Sequence, residues 1–168
     1  MKTLVLTVPH SGTHFLLRFL VGVLGLEGNS GGAREMNPKS NLDFAHEHPA
    51  EAMDLSSVFD TCIITLRHPH KTLQTARFRG ATESVIRAWE LLIDEQENYK
   101  KTLFLVIDGP EEGRFPQLMA IAAHFNKQHL EPAIKQYADE WLPVNETLSE
   151  DDINAAVFAV RAYQQWQS

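Results

Sequence analysis

Six of the eight histidines fall in pairs, His10 with His14, His46 with His48 and His68 with His70. Imidazole is the side chain that moves protons near neutral pH and a frequent zinc ligand, so each pair is a candidate for acid–base or metal chemistry. The first pair flanks Pro9-His10-Ser11-Gly12-Thr13. There Gly12 lets backbone approach a ligand, and Ser11 and Thr13 supply hydroxyls. A strand, a tight glycine turn and a helix is how a chain aims N–H groups at an anion. Simple N-capping by Ser11 or Thr13 would account for the same residues. His46 and His48 form an H-x-H, which on a strand places both rings on one face and suits zinc or iron. A histidine-rich, metal-dependent hydrolase is therefore an open alternative, although no clear carboxylate set accompanies the histidines.

The elements that must position these groups alternate strand and helix. Thr3 to Val8 is a β-prone run fit for a strand covered on both faces. Thr13 to Leu26 is apolar nearly all round, as in a buried helix. Glu27 to Asn41, with Gly28, Gly31, Gly32 and Pro38, reads as a mobile loop. Leu42 to His46 is a short strand candidate and Thr61 to Leu66 a firmer one, followed by a helix begun by Pro69. Thr82 to Lys100 is an amphipathic helix, Leu103 to Ile107 a buried strand ending at Asp108, and Phe115 to Phe125 a helix. A last helix opens at Ser149 with Asp152 as an approximate capping box, its apolar stripe being Ile153, Ala156, Val157, Val160 and Tyr163. Such alternation predicts an α/β fold with a central, mainly parallel sheet flanked by helices, and a ligand at the carboxyl ends of the strands.

Bulk properties narrow the classes. A chain of 168 residues is sized for a single domain, 1–168, and 43% hydrophobic with 22% charged residues is ordinary for a globular protein. A net charge of −7 disfavours a general nucleic-acid binder. The single cysteine, Cys62, excludes an internal disulfide and reads as a buried bystander. No apolar run has the length or flanks of a membrane span or an export signal, which predicts no membrane contact and a cytoplasmic location. The nucleotide-binding loop G-x-x-x-x-G-K-(S/T) does not fit, since Thr7, Thr13 and His14 stand where its first glycine, lysine and magnesium-binding hydroxyl belong.

Thr7 to Leu16, TVPHSGTHFL, resembles the 5′-phosphosulfate loop of the sulfotransferases, commonly T-x-P-K-S-G-T-(S/T)-x-L. Arg67-His68-Pro69, with Thr75 eight residues after Arg67, resembles their 3′-phosphate element, R-(N/D)-P-x-D-x-x-x-S. The resemblance spans residues 3–126. It implies a three-layer, P-loop NTPase-like fold and sulfuryl transfer from 3′-phosphoadenosine 5′-phosphosulfate, with no metal, to a hydroxyl or amine on a small-molecule, carbohydrate or peptide acceptor. Pro9, Ser11, Gly12, Thr13 and His14 would surround the 5′-phosphate, and Arg67 with Thr75 would hold the 3′-phosphate. His10 stands where the family lysine stabilises the bridging oxygen, and a protonated imidazole beside an anion could act in its place. His46-Glu47-His48-Pro49 resembles the family's H-x-P-like segment, which leaves His46, Glu47 or His48 as base. Lys71 replaces the family aspartate, and the late R-K-G closing segment is absent, with Arg77 to Gly80 a conceivable substitute. A catalytically degenerate nucleotide-binding module and a homodimer completing the site remain open.

Overall fold

The computed structural model describes residues 2–30, 41–51, 55–108, 111–140 and 157–167. Five strands form one parallel sheet: β1 (Thr3–Thr7), β2 (Gly28–Ser30), β3 (Phe44–Glu47), β4 (Thr61–Leu66) and β5 (Lys101–Val106). Their order is β2-β3-β1-β4-β5. The helices are α1 (Thr13–Arg18), α2 (Pro69–Phe78), α3 (Thr82–Glu95), α4 (Glu111–His124), α5 (Glu131–Ala138) and α6 (Val157–Gln167).

Both faces of the sheet are covered, which is why β1 and β4 are buried from end to end. On one face, Val5, Ile63 and Leu105 pack with Phe15, Leu16 and Phe19, with Leu118 and Ile121 of α4, and with Ile134 and Tyr137 of α5. On the other, Leu6, Cys62 and Ile64 pack with Leu73 of α2, Val85, Trp89 and Leu92 of α3, and Ala159 and Tyr163 of α6. The expected α/β architecture with a parallel sheet between helices is present. The chain builds the β3 side of β1 first and then crosses to the β4 side, so strand order reverses at β1. In open α/β sheets the crevice beyond the carboxyl end at such a reversal receives ligands.

Four expectations are corrected. Part of the anticipated loop Glu27 to Asn41 is strand β2, in register Gly28 with Phe44. Gly-Asn-Ser has little strand propensity, so pairing imposes the conformation. A Cβ at Gly28 would run into the Phe44 ring, which only glycine avoids. Residues 31–40 lie outside the described residues. The helix after β1 is α-helical only to Arg18 and then widens into a π-helical turn, Phe19–Val23, closed by the Leu24 N–H donating to the Phe19 carbonyl at 3.0 Å. Strand β5 is an edge strand, with Lys101 exposed and Leu103 and Phe104 only partly covered, because no sixth strand pairs with it among the described residues. In α6 the buried face is Ala159, Ala162 and Tyr163, whereas Val157 is 44% exposed. That phase is set by Trp166, which stacks on Trp89 and Phe104 with centroids 6.0 and 5.4 Å apart. The Ser149–Asp152 capping box, Ile153 and Ala156 lie outside the described residues. Helix α5 is an addition that the sequence pattern did not signal.

Among the described residues, no helix is long and apolar enough to cross a membrane. Cys62 is fully buried, and burial pushes its thiol far above the usual range.

Candidate functional site

The turn after β1 is tight. The Ser11 N–H donates to the Val8 carbonyl at 3.1 Å, and His10 and Gly12 both take positive φ, 66° and 96°. Glycine is required at the second position, since a Cβ there would lie 2.5 Å from Ile107 Cγ1. His10 has a Cβ and holds the left-handed conformation at a strain of about 1 kcal/mol. In this conformation its carbonyl accepts from Arg67 Nη1 at 3.4 Å.

Neither hydroxyl of the turn caps α1. Gly12 is the N-cap, with no side-chain hydrogen bond. The buried Ser11 hydroxyl instead bonds Thr65 Oγ1 at 2.7 Å, and Thr13 Oγ1 donates to Thr7 Oγ1 at 2.9 Å. The hydroxyls thus pin the turn to β4 and β1, and the first-turn N–H groups of α1 carry no side-chain cap.

A cavity of about 410 Å³ opens over this turn, bounded by Pro9, His10, Gly12, Thr13, His14, His46, His48, Thr75 and Arg79. A second, of about 310 Å³, shares Pro9 and His48 with it and is otherwise bounded by Pro49, Ala50, Glu83, Ser84 and Arg87. A further hollow, of about 550 Å³, is a mostly apolar surface depression among Leu17, Val21, Val23 and Tyr137. Among the described residues its charged groups are Arg18 and Glu140, exposed and paired at 3.8 Å, so the polar side chains collect at the first two.

Most of the residues singled out in the sequence meet at the first cavity. His46 is 3% exposed, with Nε2 2.8 Å from Thr7 Oγ1. Burial, reinforced by His48 and His14, pushes its pKa down to about 4, so it is neutral at physiological pH. His48 is half-buried, with Nδ1 2.6 Å from the Thr7 carbonyl oxygen and 3.1 Å from Thr7 Oγ1. The two rings meet edge-on, centroids 4.8 Å apart. Glu47 alternates to the other face of β3 and lines neither cavity. Burial lowers the His10 pKa, helped by Arg79, His48 and Arg67. His10 is therefore a neutral imidazole at neutral pH, and an anion offsetting those cations would favour its charged form.

Arg67 is 8% exposed and donates through Nη1 to Thr75 Oγ1 at 3.1 Å, which brings together the two residues of the second sequence element. Thr75 reaches the cavity wall, whereas Arg67 and Ser11 do not. Arg79 does, and it stood out in the sequence only as part of Arg77 to Gly80.

The third histidine pair is elsewhere. His68 and His70 lie with ring centroids 4.9 Å apart, and His68 packs on Tyr163. Beside them Asp108, whose side chain is 3% exposed, accepts from the His68 N–H at 3.2 and 3.1 Å and from the Tyr163 hydroxyl at 2.9 Å. It pairs with Lys71 Nζ at 3.4 Å, which gives the lysine at the family's aspartate position a partner. The six paired histidines thus do not converge. Among the described residues no three His, Cys, Asp or Glu side chains gather in an arrangement that could hold a metal ion.

Thr7 and Asp108 are the site-proximal residues that sequence reasoning undervalued. Both are polar residues ending a buried apolar run at the carboxyl edge of a parallel sheet, and that position was the available signal. Comparison with known proteins gives no counterpart: no family model, curated protein or solved structure matches the chain.

Proposed function

We propose that the protein is a sulfotransferase-like enzyme on a P-loop-type fold, moving a sulfuryl group from 3′-phosphoadenosine 5′-phosphosulfate to a hydroxyl or amine acceptor. One observation carries the reading. The uncapped helix start at Gly12, Thr75 with Arg67 hydrogen-bonded behind it, and Arg79 gather at a cavity that adjoins a second cavity at His48. The donor's 5′-phosphosulfate fits the turn, where backbone N–H groups and His10 face the bridging oxygen. Its 3′-phosphate fits Arg67, whose Nη2 and Nε have no protein partner among the described residues, with the Thr75 hydroxyl and Arg79 beside it. The acceptor enters from the smaller cavity, and His48 Nε2 takes its proton. The acceptor oxygen or nitrogen bonds to sulfur as the bond from sulfur to the 5′-phosphate oxygen breaks. The electron pair leaves with 3′,5′-adenosine bisphosphate. Of the three base candidates, His48 alone lines both cavities.

The test is calorimetric binding of 3′,5′-adenosine bisphosphate to wild type and Arg67→Ala, with ATP and a chelator as controls. The reading expects chelator-insensitive binding that weakens about 10- to 100-fold in the variant, the usual size of a lost charged hydrogen bond. Absence of bisphosphate binding would sink it. A second reading, a nucleotide-binding module without turnover, draws on the lowered His10 pKa, which leaves no ready cation at the lysine position. Bisphosphate binding without sulfuryl transfer to any acceptor would favour that module.

A further inference from the structure

A hydroxyl has one proton and two lone pairs, so it satisfies at most one acceptor and two donors. Thr7 Oγ1 meets three partners: Thr13 Oγ1 at 2.9 Å, His46 Nε2 at 2.8 Å and His48 Nδ1 at 3.1 Å. Thr13 donates into the first lone pair. His48 Nδ1 also lies 2.6 Å from the Thr7 carbonyl oxygen, which can only accept, so Nδ1 carries the proton and the second lone pair of Oγ1 receives the other branch of its donation. Both lone pairs are then occupied. The Thr7 proton has one place left to go, His46 Nε2.

We infer that Thr7 is a positioning residue that assigns the site's proton traffic, holding His46 as a neutral acceptor and turning the lone pair of His48 Nε2 toward the junction of the two cavities. The inference rests on His48 as base in the reading above. The alternatives fail on valence. A proton on His46 Nε2 would make three donors converge on two lone pairs and strand the Thr7 proton in a buried site. A His48 protonated only on Nε2 would set two lone pairs against each other at 2.6 Å. Once His48 Nε2 takes a proton, the imidazolium keeps its Nδ1–H on the Thr7 carbonyl. The charges around the two rings are mixed: His14 from α1, His10 from the turn with Arg67 and Arg79 near it, Glu47 between the two histidines on the chain, and Glu83 and Arg87 of α3 at the cavity they share with His48. With charges of both signs nearby, the valence of the hydroxyl decides which ring nitrogen is left to take a proton.

Thr7 lies on β1 directly before the turn, with its side chain on the same face as Val5, and Val5 is in register with His46. The register thus places the hydroxyl beside the imidazoles. Removing it leaves His46 Nε2 without its donor, Thr13 without its acceptor and His48 on one anchor.

Histidine ring nitrogens in the full-length protein report the assignment directly by ¹⁵N NMR, alongside sulfuryl transfer and bisphosphate binding, for wild type, Thr7→Val and Thr7→Ser. Wild type is expected to show both His46 and His48 protonated at Nδ1, with His46 still neutral at about pH 5.5. Thr7→Val is expected to scramble the His46 tautomer and lower kcat about 10- to 100-fold, the scale of losing an imidazole's orienting partner. Bisphosphate affinity stays within about twofold, and Thr7→Ser restores both readouts. An Nε2–H tautomer on His48, or wild-type kcat in Thr7→Val, overturns the inference. Should Thr7→Val not fold, the wild-type tautomers decide the hydrogen-bond assignment alone. Correct tautomers with no turnover in any variant would overturn the transfer reading, and Thr7's part in it, while leaving that assignment in place.

Discussion

Two regions at the carboxyl edge of the sheet carry nearly the same ingredients. Beyond β1 and β3, His46 and His48 meet edge-on at 4.8 Å; beyond β4, His68 and His70 meet in a tilted arrangement at 4.9 Å. What surrounds them differs. The first pair is anchored on one side by the uncharged Thr7 and faces two cavities on the other, which leaves the His48 Nε2 lone pair accessible. The second sits against a buried carboxylate, Asp108, already committed to Lys71, the Tyr163 hydroxyl and the start of α2. That carboxylate ties β5, α2 and α6 together and has no obvious capacity for a ligand. Among the described residues His68 Nδ1 and His70 Nε2 are buried with no hydrogen-bond partner, so what separates the two pairs is access: the first borders two cavities, and the second borders neither.

The comparison predicts that damage to the two regions separates into stability and turnover. The largest effect is expected from Asp108→Ala, which strands a backbone N–H, a tyrosine hydroxyl and an ammonium. It should lower unfolding free energy by about 3 kcal/mol in urea titrations, with bisphosphate affinity changed less than about threefold. If affinity collapses in step with stability, the two regions are one unit. His48→Gln should do the reverse, lowering sulfuryl transfer about 100-fold or more while moving stability by less than about 1 kcal/mol. Equal turnover in this variant and wild type would remove His48 from the chemistry.

The third prediction concerns acid. The folded His46 pKa, about 4, lies below the ordinary imidazole value of 6.5, so between those values the unfolded chain binds the proton and the folded one does not. Stability is then full above about pH 6.5 and is lost as pH falls toward 4, by on the order of 3 kcal/mol from this residue. His46→Gln should flatten that slope in denaturant titrations across the window. His68 is also lowered by burial, but Asp108 opposes the shift, so His68→Gln should flatten the slope less. A larger effect from His68 would mean that its site is the more strongly desolvated.

The amino-acid sequence by itself determined the alternation of elements, because continuous apolar runs at Thr3–Thr7 and Thr61–Leu66 suit only strands buried on both faces. It also determined where chemistry would collect, since Pro9 to His14, His46 to His48 and Arg67 to Thr75 each follow such a run. Local propensity acts within a few residues and leaves its mark there. Tertiary structure decided what no local pattern encodes: that Gly28-Asn29-Ser30 becomes a strand through pairing with β3, that α6 turns its Ala159 and Tyr163 face inward, and that Ser11 spends its hydroxyl on Thr65. It decided above all which histidines reach a cavity. That depends on neighbours distant in the sequence, Thr7 for the His46 and His48 rings and Asp108 for the His68 backbone N–H, and only the parallel register of the sheet brings them within hydrogen-bonding distance.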